Sequence, residues 1–75
     1  MHYIDVLWGG VAFTFAANIT PSLTDGCSDV EVTQLAPVPT ATKTQCLCGI
    51  PSASDLQTVA QHTALEMAQA HDFRP

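Results

Sequence analysis

Three cysteines, Cys27, Cys46 and Cys48, are the residues best suited to metal or redox chemistry. Together with His62 or His71, three thiolates would make a zinc shell, but structural zinc sites usually separate paired cysteines by roughly two to four residues, and Cys46 and Cys48 are closer. A disulfide from Cys27 to either of the others would close a loop of about 20 residues and add roughly 3 kcal/mol. The simplest interpretation is three buried thiols acting as small apolar side chains, so the sequence assigns no metal and no cofactor.

Acid–base chemistry has only one candidate pair. His62 and Glu66 lie four residues apart in a helical stretch, so they share one face and could transfer a proton. The simpler interpretation is an exposed ion pair on the helix surface. Such a pair stabilises the fold by only about a few tenths of a kcal/mol. Asp25, Asp29 and Glu31 lack the pattern of a calcium loop, and the sequence has neither a phosphate-binding glycine loop nor a nucleophile elbow. We therefore expect a protein that is not an enzyme.

The charge of the chain excludes nucleic acids and anionic membrane surfaces as expected partners. The chain of 75 residues has a net charge of −5, and its only basic side chains are Lys43 and Arg74. Nucleic-acid binding needs several basic contacts to phosphates, and docking on an anionic membrane surface has the same need. Charged residues make up only 12% of the chain, against about 25% in a typical globular domain. A surface so poor in charge is typical of a subunit that other proteins cover.

Residues 2–19 are predicted to form a β-hairpin. Gly9-Gly10 is a two-residue turn signal between two runs rich in aromatic and β-branched residues. If Trp8 lies opposite Val11, alternation along the strands gathers the large apolar side chains on one face. That set is Ile4, Val6, Trp8, Val11, Phe13 and Phe15.

A helix is the alternative for this stretch, because part of its apolar pattern also fits helical spacing. Residues 3–19 approach the roughly 20 residues that a membrane span requires. In a soluble helix, however, two adjacent glycines would each cost roughly 1 kcal/mol relative to alanine. The hairpin is the preferred interpretation. The residues at helical spacing are Ile4, Leu7, Trp8, Val11 and Phe15.

Residues 20–50 are predicted to contain strands and loops. Residues 29–35 are predicted to form a third strand, because valines alternate with polar residues through the first five of them. Pro37 and Pro39 end it, because proline cannot donate to a sheet ladder. A Pro-rich loop follows, and residues 43–48 are compatible with a short fourth strand.

Residues 52–72 are predicted to form an amphipathic helix. Ser52 or Ser54 can serve as its N-cap, and Gln57 stands three residues after Ser54 as in a capping box. One face of this helix is apolar and is expected to pack on the sheet. Its members are Leu56, Val59, Ala60, Thr63, Met67 and Ala70.

These elements predict a single α+β domain over 1–75, in which one helix packs on a small sheet. Trp8, Phe13 and Phe15 could form an exposed anchor for a partner, although a domain this small needs such residues for its core. We expect a structural or adaptor subunit of a large assembly, in its most concrete form a bacteriophage virion or tail component, in a virion or the cytoplasm. The alternatives are a single-pass accessory subunit of a membrane complex, with residues 3–19 as the span, and a small cysteine-based zinc or redox module.

Overall fold

A four-stranded antiparallel sheet and one helix make up the fold, which confirms the predicted α+β class and the fourth strand. The computed structural model describes residues 2–21, 26–49 and 52–71. The strands follow chain order across the sheet, so each is joined to its neighbour by a direct connection. They are β1 (His2–Trp8), β2 (Val11–Pro21), β3 (Cys27–Ala36) and β4 (Thr42–Cys48), and the helix is α1 (Ala53–Gln69).

The β1–β2 hairpin has the predicted register. Trp8 pairs with Val11, and the pairs Val6–Phe13 and Ile4–Phe15 follow. Gly9 and Gly10 have φ angles of 61° and 77°. Two consecutive positive φ angles are what a type I′ hairpin turn requires, and glycine adopts them without steric cost.

A continuous helix over residues 3–19 is therefore wrong, because the two glycines reverse the chain and each half pairs with the other. Among residues 2–21, 26–49 and 52–71, no helix is long and apolar enough to cross a membrane.

Strand β3 ends at Ala36, directly before Pro37, as predicted. The pairing of β2 with β3 shifts register between Thr14 and Phe15, where a bulge interrupts the ladder. Gln34 holds the loop that follows β3. Its backbone N–H donates to the Ala41 carbonyl at 3.0 Å, and its side-chain Nε2 donates to the Val38 carbonyl at 2.9 Å.

The N-cap of helix α1 is Ser52, whose side-chain oxygen accepts a bond from the Asp55 N–H at 3.2 Å. The capping box at Ser54 does not form, because Ser54 already lies inside the helix and its carbonyl accepts from the Thr58 hydroxyl. Four of the five buried helix positions recur every four residues, so the buried face differs from the predicted stripe, and Ala70 is exposed. The buried residues are Leu56, Ala60, Thr63, Ala64 and Ala68.

The core lies between α1 and one face of the sheet, which we call the inner face. Phe13 and Phe15 are 1% and 0% exposed, and their ring centroids are 6.2 Å apart. Alanines on the facing side of the helix let it approach the sheet closely. The other face of the sheet, the outer face, is not covered by α1. The core cluster is Phe13, Phe15, Ala17, Val30, Val32, Leu56, Ala60, Ala64 and Ala68.

Candidate interaction edge and cysteine cluster

Cys27 and Cys48 are joined by a disulfide that ties β3 to β4. They are direct partners in the antiparallel register. The next pair along the two strands, Gly26 and Gly49, is hydrogen-bonded, since the Gly49 N–H donates to the Gly26 carbonyl at 3.3 Å. Cys27 and Cys48 therefore form a non-hydrogen-bonded pair, the kind in which facing side chains come closer together.

The interpretation of three buried thiols is wrong. Cys46 and Cys48 are exposed, and Cys27 is half-buried. The physical reason is strand alternation: Val30 points into the core, so Cys27, an odd number of residues away, points to the outer face. Its partner Cys48 lies on that face, and so does Cys46, two residues earlier in the strand.

The three sulfur atoms form a cluster. All lie within 4.8 Å of one another, although only two of them are joined. Among the described ranges 2–21, 26–49 and 52–71, this is the one group of three potential metal ligands. Asp29 is the register partner of Cys46, so its carboxylate borders the cluster on the same face.

His62 does not join the cysteines. It lies on α1, which packs on the inner face, whereas the cysteines are on the outer face. Its Nδ1 lies 2.9 Å from Glu66 Oε1, and both side chains are exposed. The alternative of a zinc shell made by the three cysteines and His62 is therefore not assembled, and the His62–Glu66 pair is an exposed helix pair.

His71 has a structural position that the sequence did not reveal. Its Nε2 lies 2.8 Å from Gln34 Oε1, and its ring stacks on Phe13 with 5.0 Å between centroids. Because the Gln34 amide nitrogen already donates to Val38, the amide oxygen is the acceptor and His71 donates. His71 therefore fastens the end of the helix to β3, a contact that links residues 37 positions apart.

Strand β1 exposes apolar side chains at one edge of the sheet. Leu7 is 75% exposed, Tyr3 67% and Trp8 40%. Within the described part of the chain, β1 pairs on one side only, with β2. The strand has no proline, lysine or arginine, which are the residues that usually protect an edge from pairing.

A groove of about 440 Å³ runs between β1 and the helix. Its floor on the sheet side contains Ile4 and Val6, which are half-buried against the core. Two glutamines and a leucine of the helix form the opposite wall. The lining residues are Tyr3, Ile4, Asp5, Val6, Gln57, Gln61 and Leu65.

Of the three aromatic residues considered for partner contact, Phe13 and Phe15 lie in the core, and Trp8 lies beside the hairpin turn, partly exposed. Tyr3 and Leu7 were not among the residues predicted to contact a partner, although both alternate with the core-facing positions of β1. No family model, curated protein or solved structure matches this chain. What the chain does is therefore inferred from the surfaces described above.

Proposed function

We propose that this protein is a non-catalytic structural or adaptor subunit that binds another protein by strand addition at the β1 edge. The observation that carries the proposal is an edge strand of seven residues that has no proline, lysine or arginine, has Asp5 as its one acidic residue, and borders a groove with Ile4 and Val6 on its floor. In strand addition, backbone hydrogen bonds supply affinity and pockets for alternate side chains supply specificity. The free side of β1 and the groove beside it support this mode of binding.

The backbone groups available at this edge can be identified from the register. The two-residue turn makes Trp8 and Val11 a hydrogen-bonded pair, so every second residue of β1 also bonds to β2. The residues between them direct their N–H and C=O groups outward. These residues are Tyr3, Asp5 and Leu7.

Charge indicates the kind of partner. Asp5 occupies the middle of β1, and its Oδ1 accepts a bond from Thr14 Oγ1 at 3.1 Å. Two copies pairing through β1 about this midpoint would place two Asp5 carboxylates opposite each other, and like charges in that position are destabilising. Each copy also has a net charge of −5. We therefore propose a different chain as the partner, with an extended segment that has a basic residue opposite Asp5 and apolar residues on either side.

The virion or tail of a bacteriophage is the setting we propose for this subunit. The low content of charged residues suits a chain with much of its surface covered. The Cys27–Cys48 disulfide adds support, because such bonds persist on virion surfaces and are rare in a reducing cytosol.

Proline substitution tests strand addition directly. Leu7→Pro removes one outward N–H, a change that edge strands tolerate. The probe is a synthetic seven-residue peptide of alternating threonine and valine with a central lysine, and the readout is amide hydrogen exchange. In the unaltered chain the peptide should protect the Tyr3 and Asp5 amides, and Leu7→Pro should abolish that protection.

Thr44→Pro is the matched control, since Thr44 belongs to the same non-hydrogen-bonded set as Cys48 and its N–H points outward from β4. It should leave protection at β1 unchanged. Equal loss in both variants, or no protection at millimolar peptide, would overturn the proposal. Protection of β1 without peptide, accompanied by a dimer in sedimentation, would show that a second copy is the partner.

A further inference from the structure

The cysteine cluster lies at the opposite edge of the sheet from β1. Cys46 is exposed, and its sulfur lies within 4.8 Å of both sulfurs of the Cys27–Cys48 disulfide. A thiolate held next to a disulfide is the reacting arrangement of thiol–disulfide exchange. A purely structural disulfide needs only two cysteines, so the third sulfur in the cluster is the observation to explain.

We propose that the cluster is a thiol–disulfide exchange site in which Cys46 is the internal nucleophile. Cys46 loses its proton to water and its sulfur bonds to Cys48 Sγ. The Cys27–Cys48 bond breaks, its electron pair leaves on Cys27 Sγ, and that sulfur takes a proton from water. One disulfide and one thiol are present before and after, so the step needs no oxidant or reductant.

Backbone distances indicate that Cys46 attacks the sulfur of Cys48 and not that of Cys27. Two residues along one strand separate the Cα atoms of Cys46 and Cys48 by about 6.7 Å. This lies at the upper end of the range that a disulfide accepts, roughly 4.4 to 6.8 Å. Cys27 is the diagonal neighbour of Cys46 across the strands, at about 7 to 8 Å. A Cys46–Cys48 bond therefore requires the smaller adjustment, and Cys27 is released.

An external thiol can enter the same cycle. Its thiolate attacks the exposed Cys48 sulfur and expels Cys27, and Cys46 then attacks Cys48 and expels the external thiol. Asp29 opposite Cys46 and Glu31 two residues further give this part of the outer face negative charge. Neutral or cationic thiols are therefore the class that the site accepts best, and a cysteine of a partner protein in a basic segment belongs to that class.

Tryptic mapping can read the disulfide state of the full-length chain. Lys43 separates Cys27 from the other two cysteines, so the Cys27–Cys48 bond links two tryptic peptides. A Cys46–Cys48 bond leaves these peptides separate. The oxidised protein is incubated with substoichiometric cysteamine, quenched with acid, blocked with N-ethylmaleimide and digested. Separated peptides with the label on Cys27 should accumulate at least tenfold faster in the unaltered chain than in Cys46→Ser.

A relocated thiol is the matched control. Cys46→Ser combined with Thr44→Cys keeps three cysteines on the same strands and the same face, but moves one thiol two residues further from Cys48. This variant should behave like Cys46→Ser, and circular dichroism should show that both are folded. Glutathione, which has a net negative charge, should act several-fold more slowly than cysteamine. Equal rates of separation in the unaltered chain and the relocated variant, or label on Cys46 alone throughout, would overturn the proposal.

Discussion

The two edges of the sheet are built differently. Strand β1 presents exposed apolar side chains and has Asp5 as its only acidic or basic residue apart from His2. Strand β4 contains Lys43 among threonines, and a disulfide ties its last residue to β3. The helix borders β1 through a groove, whereas on the other side Gln45 Nε2 donates to Thr63 Oγ1 at 2.8 Å and connects β4 to the helix.

This difference indicates how the molecule avoids uncontrolled association. An unprotected edge on both sides would let copies add without limit. Strand β4 has Lys43, a residue of the kind that protects an edge from pairing, so under our proposal strand addition occurs at β1. The two edges can then serve different purposes: non-covalent pairing at β1 and sulfur chemistry at β4.

The largest expected effect comes from removing the disulfide. Replacing both Cys27 and Cys48 with serine opens a loop between residues 21 apart in sequence. The free energy of unfolding should fall by roughly 3 kcal/mol, because the unfolded chain regains conformational freedom. Urea unfolding under non-reducing conditions measures this, and amide exchange should rise more in β4 than in β1.

Cys46→Ser is the control for that experiment. It keeps the disulfide, so its free energy of unfolding should change by less than about 0.5 kcal/mol. A loss as large as that of the double variant would mean that Cys46 contributes to stability in a way that the cluster geometry does not explain.

A smaller effect is expected from His71→Phe. Phenylalanine can keep the stack on Phe13, but it removes the donor to Gln34 and leaves a buried oxygen without that bond. The free energy of unfolding should fall by about 1 to 2 kcal/mol, and amide exchange should rise in residues 38–41, on the β4 side of the sheet.

His62→Phe is the matched control on the same helix, since His62 is exposed and its pair with Glu66 contributes little. If both histidine variants lose the same stability, the contact between His71 and Gln34 does not hold the helix end. An increase of exchange in β1 as large as that in residues 38–41 would show that the two edges are not independent.

The sequence predicted most reliably what neighbouring residues determine. The register of the β1–β2 hairpin follows from Gly9 and Gly10, because a two-residue turn leaves one way to pair the flanking strands. The disulfide partner of Cys27 depends on the register of β3 against β4, and the loop between those strands did not fix that register. The exposure of Leu7 depends on β1 being an edge, which only the completed sheet determines.

Some features of the helix also depend on contacts with residues that are distant in sequence, and the local sequence did not predict them. Ser52 and Ser54 are both good N-caps, and the choice of Ser52 depends on where the chain leaves the sheet. Ala64 and Ala68 were missed as core positions because alanine is found both inside and outside proteins. His71 was considered as a zinc ligand and not as a partner of Gln34, since Gln34 is remote in sequence.

The smallest expected effect tests whether charge keeps two β1 edges apart. Asp5→Asn removes the carboxylate that would face its own copy, so self-association should strengthen by up to about 1 kcal/mol, or roughly fivefold. Sedimentation equilibrium measures the change. Asp29→Asn makes the same change in net charge on β3, away from the edge, and should have a weaker effect. Equal effects would assign the repulsion to net charge alone.

The molecule measures 48 × 17 × 16 Å, with the Gly9-Gly10 turn at one pole and the cysteine pair at the other. A strand added along the flank widens the sheet by about 4.8 Å and leaves its length unchanged. A covalent bond formed at the cysteine pair would instead attach a neighbour to the outer face, near the other end of the molecule. Under the two proposals, one neighbour would lie alongside β1 while another is held on the outer face at the opposite edge.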